Sequence, residues 1–325
     1  MRAAVALSQS MDDPLSGLVL TDVPTPVARP GWTRVRVIAS SLNLHDVWTL
    51  RGVGHPADRL PIILGCDAAG ITDDGREVIV HPVIADADRG YGDSTLDPQR
   101  ALLSEQHDGA FAEYVLVPDQ NLVAKPSWLS FQHAACLPVA WGTAYRMLFT
   151  RAKLQAGMRV LVQGATGGVA SAAISLAVAA GATVYVTSRD AGKRDFALSL
   201  GAAAAIPTGE RVPERVDIVI ETVGEATWSH SMKSLRPGGI IVIAGATSGA
   251  NPPADLARVF YQQLTVAGST GCTMTELRGL LRLLDSTGLR PTIDRVIGLE
   301  DIRQGFQSLI DGTVRGKIAV SVQSV

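Results

Sequence analysis

A run of small residues, Gly164-Ala165-Thr166-Gly167-Gly168-Val169-Ala170, follows the apolar segment Arg159–Gln163 and opens an alanine-rich stretch that reads as a helix over 168–180. This arrangement suits a pyrophosphate. Backbone N–H groups and a helix N-terminus close on an anion only where no Cβ intervenes. Gly164 permits the tight turn, and Gly167 and Gly168 permit close approach. The last glycine of the strict Gly-x-Gly-x-x-Gly register is not matched, so the weight rests on the strand–loop–helix context. The next strand, over 183–187, ends in Ser188-Arg189, with Lys193 one helical turn beyond. No carboxylate occupies that strand tip, where an NAD site typically offers one to the ribose. A serine hydroxyl and a guanidinium fork suit a 2′-phosphate, which predicts NADPH over NADH. The bland alternative is a solvated helix start formed by Asp190, Lys193 and Arg194.

The elements that must position this loop alternate strictly. Strands over 159–163, 183–187, 217–220 and 240–244 are interleaved with helices over 168–180, 193–200 and 226–235. Such alternation predicts βαβ units and a parallel sheet covered on both faces. Earlier in the chain, short strands crowd together without long helices. The segments 33–39, 77–80 and 112–117 are separated by Pro24, Pro26, Pro30-Gly31 and Asp73-Asp74-Gly75. They predict an antiparallel, barrel-like unit. The polar stretch 86–109 has no clear periodicity and reads as a solvated excursion. The tail alternates again, with helices over 274–286 and 299–310 and strands over 292–296 and 317–322.

Composition excludes several classes. The chain has 325 residues, enough for two domains, and 46% are hydrophobic against 18% charged, so a core can be buried. The net charge of -2 carries no basic surplus for nucleic acid, and aromatics at 5% offer no stacking surface. No apolar run reaches the length of a membrane span. The opening Met1–Leu7 lacks an apolar leader core and a cleavage site, so a cytoplasmic protein is expected. Three dispersed cysteines, Cys66, Cys136 and Cys272, build no disulfide framework.

Order and spacing of further motifs are more specific than any one of them. They include Ser40-Ser41-Leu42-Asn43-Leu44-His45-Asp46, Leu64-Gly65-Cys66-Asp67-Ala68-Ala69-Gly70 and Gly109-Ala110-Phe111-Ala112-Glu113-Tyr114-Val115. Leu137-Pro138-Val139-Ala140-Trp141-Gly142-Thr143-Ala144-Tyr145, the glycine loop and Leu235-Arg236-Pro237-Gly238-Gly239 follow. With these the chain resembles the medium-chain dehydrogenase/reductase superfamily, close to its zinc-independent, quinone-oxidoreductase-like branch. The resemblance implies an α/β protein of two domains. A GroES-like, mostly antiparallel β-barrel catalytic domain takes 1–139 and 269–325, and a doubly wound, parallel-sheet Rossmann domain for NADPH takes 140–268. It also implies a homodimer joined through Rossmann sheet edges.

The same resemblance frames the question of metal. Zinc-dependent relatives place a cysteine at the position of Asn43, a His-Glu pair at Cys66-Asp67 and a further ligand within 138–141. Only Cys66 and Asp67 match in type, and no cysteine lies between Pro82 and Asp108, so neither a catalytic nor a structural zinc is expected. An atypical site from His45, His81 and Cys66 is the alternative. Without a Lewis acid, oxidising a simple alcohol is hard, whereas a quinone or enone still accepts hydride. The resemblance assigns Asn43, Asp46 and Thr143 to the reacting pocket, with the Asn43 amide as a donor that need not titrate. The chain has Asn43-Leu44-His45-Asp46 where quinone-reductase-like relatives usually have Asn-Pro-x-Asp, and His45 there suits a proton donor, its ordinary pKa being near 6.5. A structural His45 and a helix-capping Asp46 are the alternatives. Further cofactor contacts are expected from Val223, from Gly245-Ala246-Thr247, from Gly268-Ser269-Thr270 and from Lys317 in the Gly316-Lys317 turn. The expected activity is NADPH-dependent reduction of a quinone, enone or similar activated carbonyl. An alcohol or polyol dehydrogenase with an atypical zinc, and a cofactor binder without turnover, are the competing readings.

Overall fold

The structure is a computed structural model and describes residues 1–323. Its contacts divide the chain into two compact units. Among the described residues the first comprises 1–140, 271–281 and 290–323, and the second 141–270 and 282–289.

The first unit is built on alternating strands. Trp32–Ser41 lies at the centre of its main sheet and pairs antiparallel with Asp67–Thr72, Tyr114–Pro118 and Lys317–Ser321. Glu77–Val80 and Leu122–Ala124 extend the sheet on one side, and Ile293–Gly298, parallel to Lys317–Ser321, on the other. A second, three-stranded sheet runs Leu18–Asp22, Arg2–Ala6, Ile62–Ile63. The valines of the alternating segments, Val35, Val37, Val78, Val80, Val115 and Val117, all point into one core. A second core gathers Leu42, Val47 and Leu50 against Phe306 and Phe111, whose rings meet edge to face at 5.8 Å. Leu42 and Leu50 thus anchor both ends of the segment carrying Asn43, His45 and Asp46.

The second unit is a six-stranded, wholly parallel sheet. Its order is Ala204–Ile206, Thr183–Thr187, Arg159–Gln163, Val216–Glu221, Leu235–Ile243, Thr265–Gly268. This is the doubly wound order in which ligands bind where the strand sequence reverses, beside Arg159–Gln163. The expected combination of a mostly antiparallel GroES-like unit and a parallel Rossmann sheet is therefore present.

Two departures from the sequence reading have physical causes. The stretch 86–109 is exposed or half-buried at most positions, as expected, but is also tied down. Buried Asp97 accepts hydrogen bonds from the N–H groups of Asp86 and Gln99 and from the Arg89 guanidinium, and Ala101–Leu102 pairs with Val83–Ile84. These partners are local polar groups, which leave no hydrophobic period to read. The helix Leu256–Tyr261 and the strand Thr265–Gly268 are short and largely exposed, so burial gave them no pattern either.

Candidate functional site

In the second unit the glycine loop leaves Gln163 through Gly164, whose φ of +83° lies in the region open to glycine. The helix Gly168–Ala179 then starts at Gly167 with no side-chain cap. Its first N–H groups are therefore offered to a ligand rather than satisfied internally. A Cβ built on Gly167 would meet no protein atom within 4 Å, and the same holds at Gly268. The space above the helix start is thus free of protein, and a side chain there would fill it. Ala165 and Thr166 are buried beneath the loop, while Gly168 and Val169 are half-buried.

The neighbouring strand ends are held by a buried polar chain. Glu221 accepts hydrogen bonds from the N–H groups of Val223 (2.9 Å) and Gly224 (3.0 Å) and from the hydroxyls of Thr227 and Ser231. Gln163 donates to Ser231 and accepts from Thr187. Every oxygen of Glu221 is spent on shaping the turn before Gly245 and Ala246, which together line a cavity of about 230 Å³. Ser248 and Thr247 close on the same turn through Val223 and Thr222 carbonyls. Ser269 is held by its N–H on the Ile243 carbonyl, and its buried hydroxyl has no partner. Thr143 is buried in the short helix Gly142–Tyr145.

At the tip of Thr183–Thr187, Ser188 is buried and Arg189 exposed. Asp190 caps the helix Ala191–Ser199 by accepting the Lys193 N–H at 2.8 Å, so one carboxylate oxygen serves the helix start. Arg194, which the sequence reading left in a solvated turn, donates to the carbonyls of Ser188 (2.9 Å) and Arg189 (3.2 Å). Arg194 thus holds the Ser188 backbone, with Arg189 and Lys193 close by in the sequence, and the open helix start and the Cβ-free cradle fit a dinucleotide.

The first unit brings Asn43, His45, Asp46 and Lys317 together. The Lys317 ammonium is buried and donates to the Leu42 carbonyl (2.7 Å), to Asn43 Oδ1 (2.5 Å) and to Asp67 Oδ2 (3.4 Å). Asn43 Nδ2 donates to Asp67 Oδ2 at 2.8 Å and to the Ser41 carbonyl at 3.3 Å. Asp67 also accepts from the Ser41 hydroxyl (2.6 Å) and the Val139 N–H (2.9 Å). The Asn43 amide and the Lys317 ammonium are thus both engaged in satisfying a buried carboxylate that would otherwise be costly.

Asp46 opens the helix Leu44–Leu50 and accepts the N–H groups of Asn43 (3.2 Å) and Gly65 (3.0 Å). Gly65 has a φ of +104°, and a Cβ there would stand 2.7 Å from the Phe111 nitrogen, so only glycine delivers this N–H. Complete burial pushes the Asp46 carboxyl up to about 6, against the pull of His45 and the two N–H groups. Cys66 Sγ lies 3.2 Å from His45 Nδ1, 3.2 Å from Ser104 Oγ and 3.2 Å from the Leu103 carbonyl. The other imidazole nitrogen, Nε2, is 2.8 Å from Glu105 Oε1. Burial opposes charge on the imidazole, yet the Cys66 sulfur and the Glu105 and Asp46 carboxylates hold it well above its usual range. Glu105 carried no sequence signal, because sixty residues separate it from the histidine it meets.

A zinc at the positions used by zinc-dependent relatives does not fit. Asn43 and Asp67 are fully engaged, and an internal cation, Lys317, already answers the Asp67 charge. The donor atoms of His45, Asp46 and Cys66 lie within 4.8 Å of one another. Each has hydrogen-bonding partners, and burial pushes the Cys66 thiol up. The trio is a hydrogen-bonded chain.

The family model of the alcohol dehydrogenase GroES-like domain matches residues 29–127, and that of zinc-binding dehydrogenases matches 168–286. The chain is 30% identical to crotonyl-CoA reductase of Streptomyces avermitilis, over 97% of its own length and 84% of the relative's. A crystal structure of an NAD-dependent alcohol dehydrogenase superposes with a TM-score of 0.92 at 33% identity, covering 99% of this chain and 100% of that one. A crotonyl-CoA carboxylase/reductase in complex with NADP superposes with a TM-score of 0.91 at 26% identity, covering 100% and 95%. Both halves of the architecture and relatives matched along their length agree: the chain belongs to the medium-chain dehydrogenase/reductase superfamily.

Proposed function

We propose that the protein is an NADPH-dependent oxidoreductase that reduces a conjugated carbonyl compound, an enone or a quinone, without a catalytic zinc. The observation that carries this reading is the buried Lys317 ammonium bound to Asn43 and Asp67. It ties up Asn43 and Asp67, the two positions that answer to zinc ligands in the zinc-dependent relatives. An alcohol needs its hydroxyl pKa lowered before it gives up hydride, which is a task for a Lewis acid. A conjugated acceptor needs only orientation, hydride and a proton.

Bound NADPH would supply the hydride. The protein's own part begins at the open helix start after Gly167, whose N–H groups suit the pyrophosphate. Ser188, Arg189 and Lys193 surround the place suited to a 2′-phosphate, and Arg194 fixes the Ser188 backbone there. The crotonyl-CoA carboxylase/reductase bound to NADP and the crotonyl-CoA reductase support both the phosphorylated cofactor and a conjugated acceptor. In the first unit, the Asn43–Asp67–Lys317 network fixes the helix that carries His45, and His45 is the group suited to manage the proton.

The similarity to an NAD-dependent alcohol dehydrogenase favours a second reading, oxidation of an alcohol with NAD. The two readings separate in one assay. Purified protein is given NADPH or NADH with 9,10-phenanthrenequinone and an enone, then NAD or NADP with an alcohol panel. Turnover of the conjugated acceptors with NADPH supports the first reading. Turnover confined to alcohols with NAD replaces it, and cofactor binding without any turnover leaves a binding protein. The exposed edge strand Thr265–Gly268, with Val266 uncovered, suits the sheet-edge homodimer expected of such a chain. No helix among the described residues is long and apolar enough to cross a membrane.

A further inference from the structure

The Glu105 side chain is placed by an unusual turn. Ser104 adopts a φ of +65°, rare for a residue with a Cβ, although it is wholly buried. Its N–H is fixed on the His107 carbonyl at 2.8 Å, and its hydroxyl meets Cys66. The Glu105 N–H is fixed on the Leu102 carbonyl at 3.1 Å. A backbone strained in this way persists where its surroundings over-determine it, and such positions concentrate at functional sites. The product of this strain is a carboxylate set on His45.

That carboxylate has one side in the protein and one side outside it. Oε1 takes the His45 Nε2 contact at 2.8 Å, and the second oxygen has no protein partner among the described residues. Glu105 also lines an open pocket of about 440 Å³ with Arg59, Ile62, Gln106 and Asp108. Both His45 nitrogens, by contrast, are engaged, one by Cys66 and one by Glu105. The imidazole therefore has no free N–H for a substrate, and among the described residues the exit from the chain Cys66–His45–Glu105 is the carboxylate.

We propose that Glu105 is the group that hands the proton to the reduced substrate, and that His45 recharges it. The inference rests on the reading of the protein as a reductase of conjugated carbonyls. Hydride added at the β-carbon moves an electron pair onto the carbonyl oxygen and leaves an enolate. The Nε2–H proton of the His45 imidazolium passes to the Glu105 carboxylate, leaving the N–H bonding pair on a neutral ring, and the enolate takes that proton from the carboxyl so formed, whose O–H bonding pair stays behind as carboxylate. A solvent proton entering at the pocket returns to the His45 ring by the same carboxylate. The acceptor is reduced by two electrons, the nicotinamide is oxidised by two, and one solvent proton is consumed.

The charged and titratable groups facing His45 are Asp46 on its own helix, Cys66 ahead of Asp67–Thr72 and Glu105 from the turn. His55, buried with both ring nitrogens unpartnered, and Arg59 beside it lie on the segment after the helix. Burial, with the Arg59 and His45 charges beside it, holds the His55 imidazole below its usual range, so it adds no cation beside His45.

The test compares wild type, Glu105→Gln and Glu105→Asp with NADPH and an enone. Steady-state turnover is followed from pH 5 to 10, and NADPH affinity is measured separately by fluorescence. Glu105→Gln is expected to lower kcat by about 10²–10⁴-fold, the usual contribution of a general acid. It is also expected to abolish the alkaline fall in kcat while leaving NADPH affinity unchanged. Glu105→Asp is expected to restore part of the rate together with the alkaline fall. If Glu105→Gln does not fold, Glu105→Asp carries the test: a shortened carboxylate that leaves kcat at the wild-type level overturns the proposal. Wild-type kcat and an unchanged pH limb in Glu105→Gln overturn it as well. Stoichiometric zinc lost in Cys66→Ser would also overturn it, since the imidazole would then be a ligand. A wild-type protein inert to every conjugated acceptor refutes the reductase reading itself, whereas an active wild type with an indifferent Glu105→Gln refutes this inference alone.

Discussion

Lys317 Nζ and Asp67 Oδ2 face each other 3.4 Å apart, each almost wholly buried, and Asn43 bridges the pair with one bond to each. The two charges come from segments 250 residues apart. The C-terminal strand that carries Lys317 is thereby locked to the strand pair that carries Asp67 and Ser41. A buried pair of this kind is weak evidence of net stability, because both desolvation costs oppose its attraction. Its measurable property is the cost of breaking it.

Removing the ammonium alone leaves a buried carboxylate facing only neutral donors. Lys317→Met is therefore expected to destabilise the first unit by about 3–5 kcal/mol. Lys317→Met with Asp67→Asn removes both charges and should recover much of that loss. Urea denaturation of the three variants reads this directly. A Lys317→Met midpoint equal to wild type would show that the pair is not charged as described.

Asp46 sets a pH dependence of stability. Its carboxyl is pushed up to about 6 when folded, chiefly by burial, against an ordinary value of 3.8. Between those two values the folded chain keeps a proton that the unfolded chain has released. Unfolding free energy must then fall as pH rises through about 4 to 6, by on the order of 3 kcal/mol from this group. Asp46→Asn should flatten that slope. An unchanged slope in urea titrations across the window would place the titrating group elsewhere.

Gly167 separates folding from binding. No protein atom would meet a Cβ there, and its φ of -61° suits any residue. Gly167→Val should leave the melting temperature within a few degrees of wild type while NADPH binding is lost at the concentrations that saturate wild type. Retained affinity, measured by fluorescence titration, would remove the loop from the binding site.

Arg189 is expected to select the phosphorylated cofactor. Arg189→Ala should weaken NADPH by about 1.5–3 kcal/mol, roughly ten- to over a hundredfold, and NADH by far less. Equal losses for the two cofactors would contradict the role given to this strand tip.

The sequence carried the local signals well and the distant pairings poorly. The glycine loop, the alternating strands and helices and the segment around Asn43 are legible because each encodes a backbone geometry or a period. Glu105 was hidden in a stretch without periodicity, and its value lies in meeting His45 across sixty residues. Lys317 was found from the Gly316-Lys317 turn, but its direction was not, because a turn does not reveal which buried acid its side chain neutralises. Arg194 was passed over for the same reason: its guanidinium answers carbonyls, which have no signature in the sequence.

The most direct measurement is turnover of 9,10-phenanthrenequinone and an enone by NADPH before and after exhaustive chelation, with zinc determined in the same samples. Reduction at full rate by protein holding far less than one zinc per chain is the expected result. A rate that disappears with the metal and returns when zinc is restored would show that an ion, and not organic side chains alone, supports the chemistry.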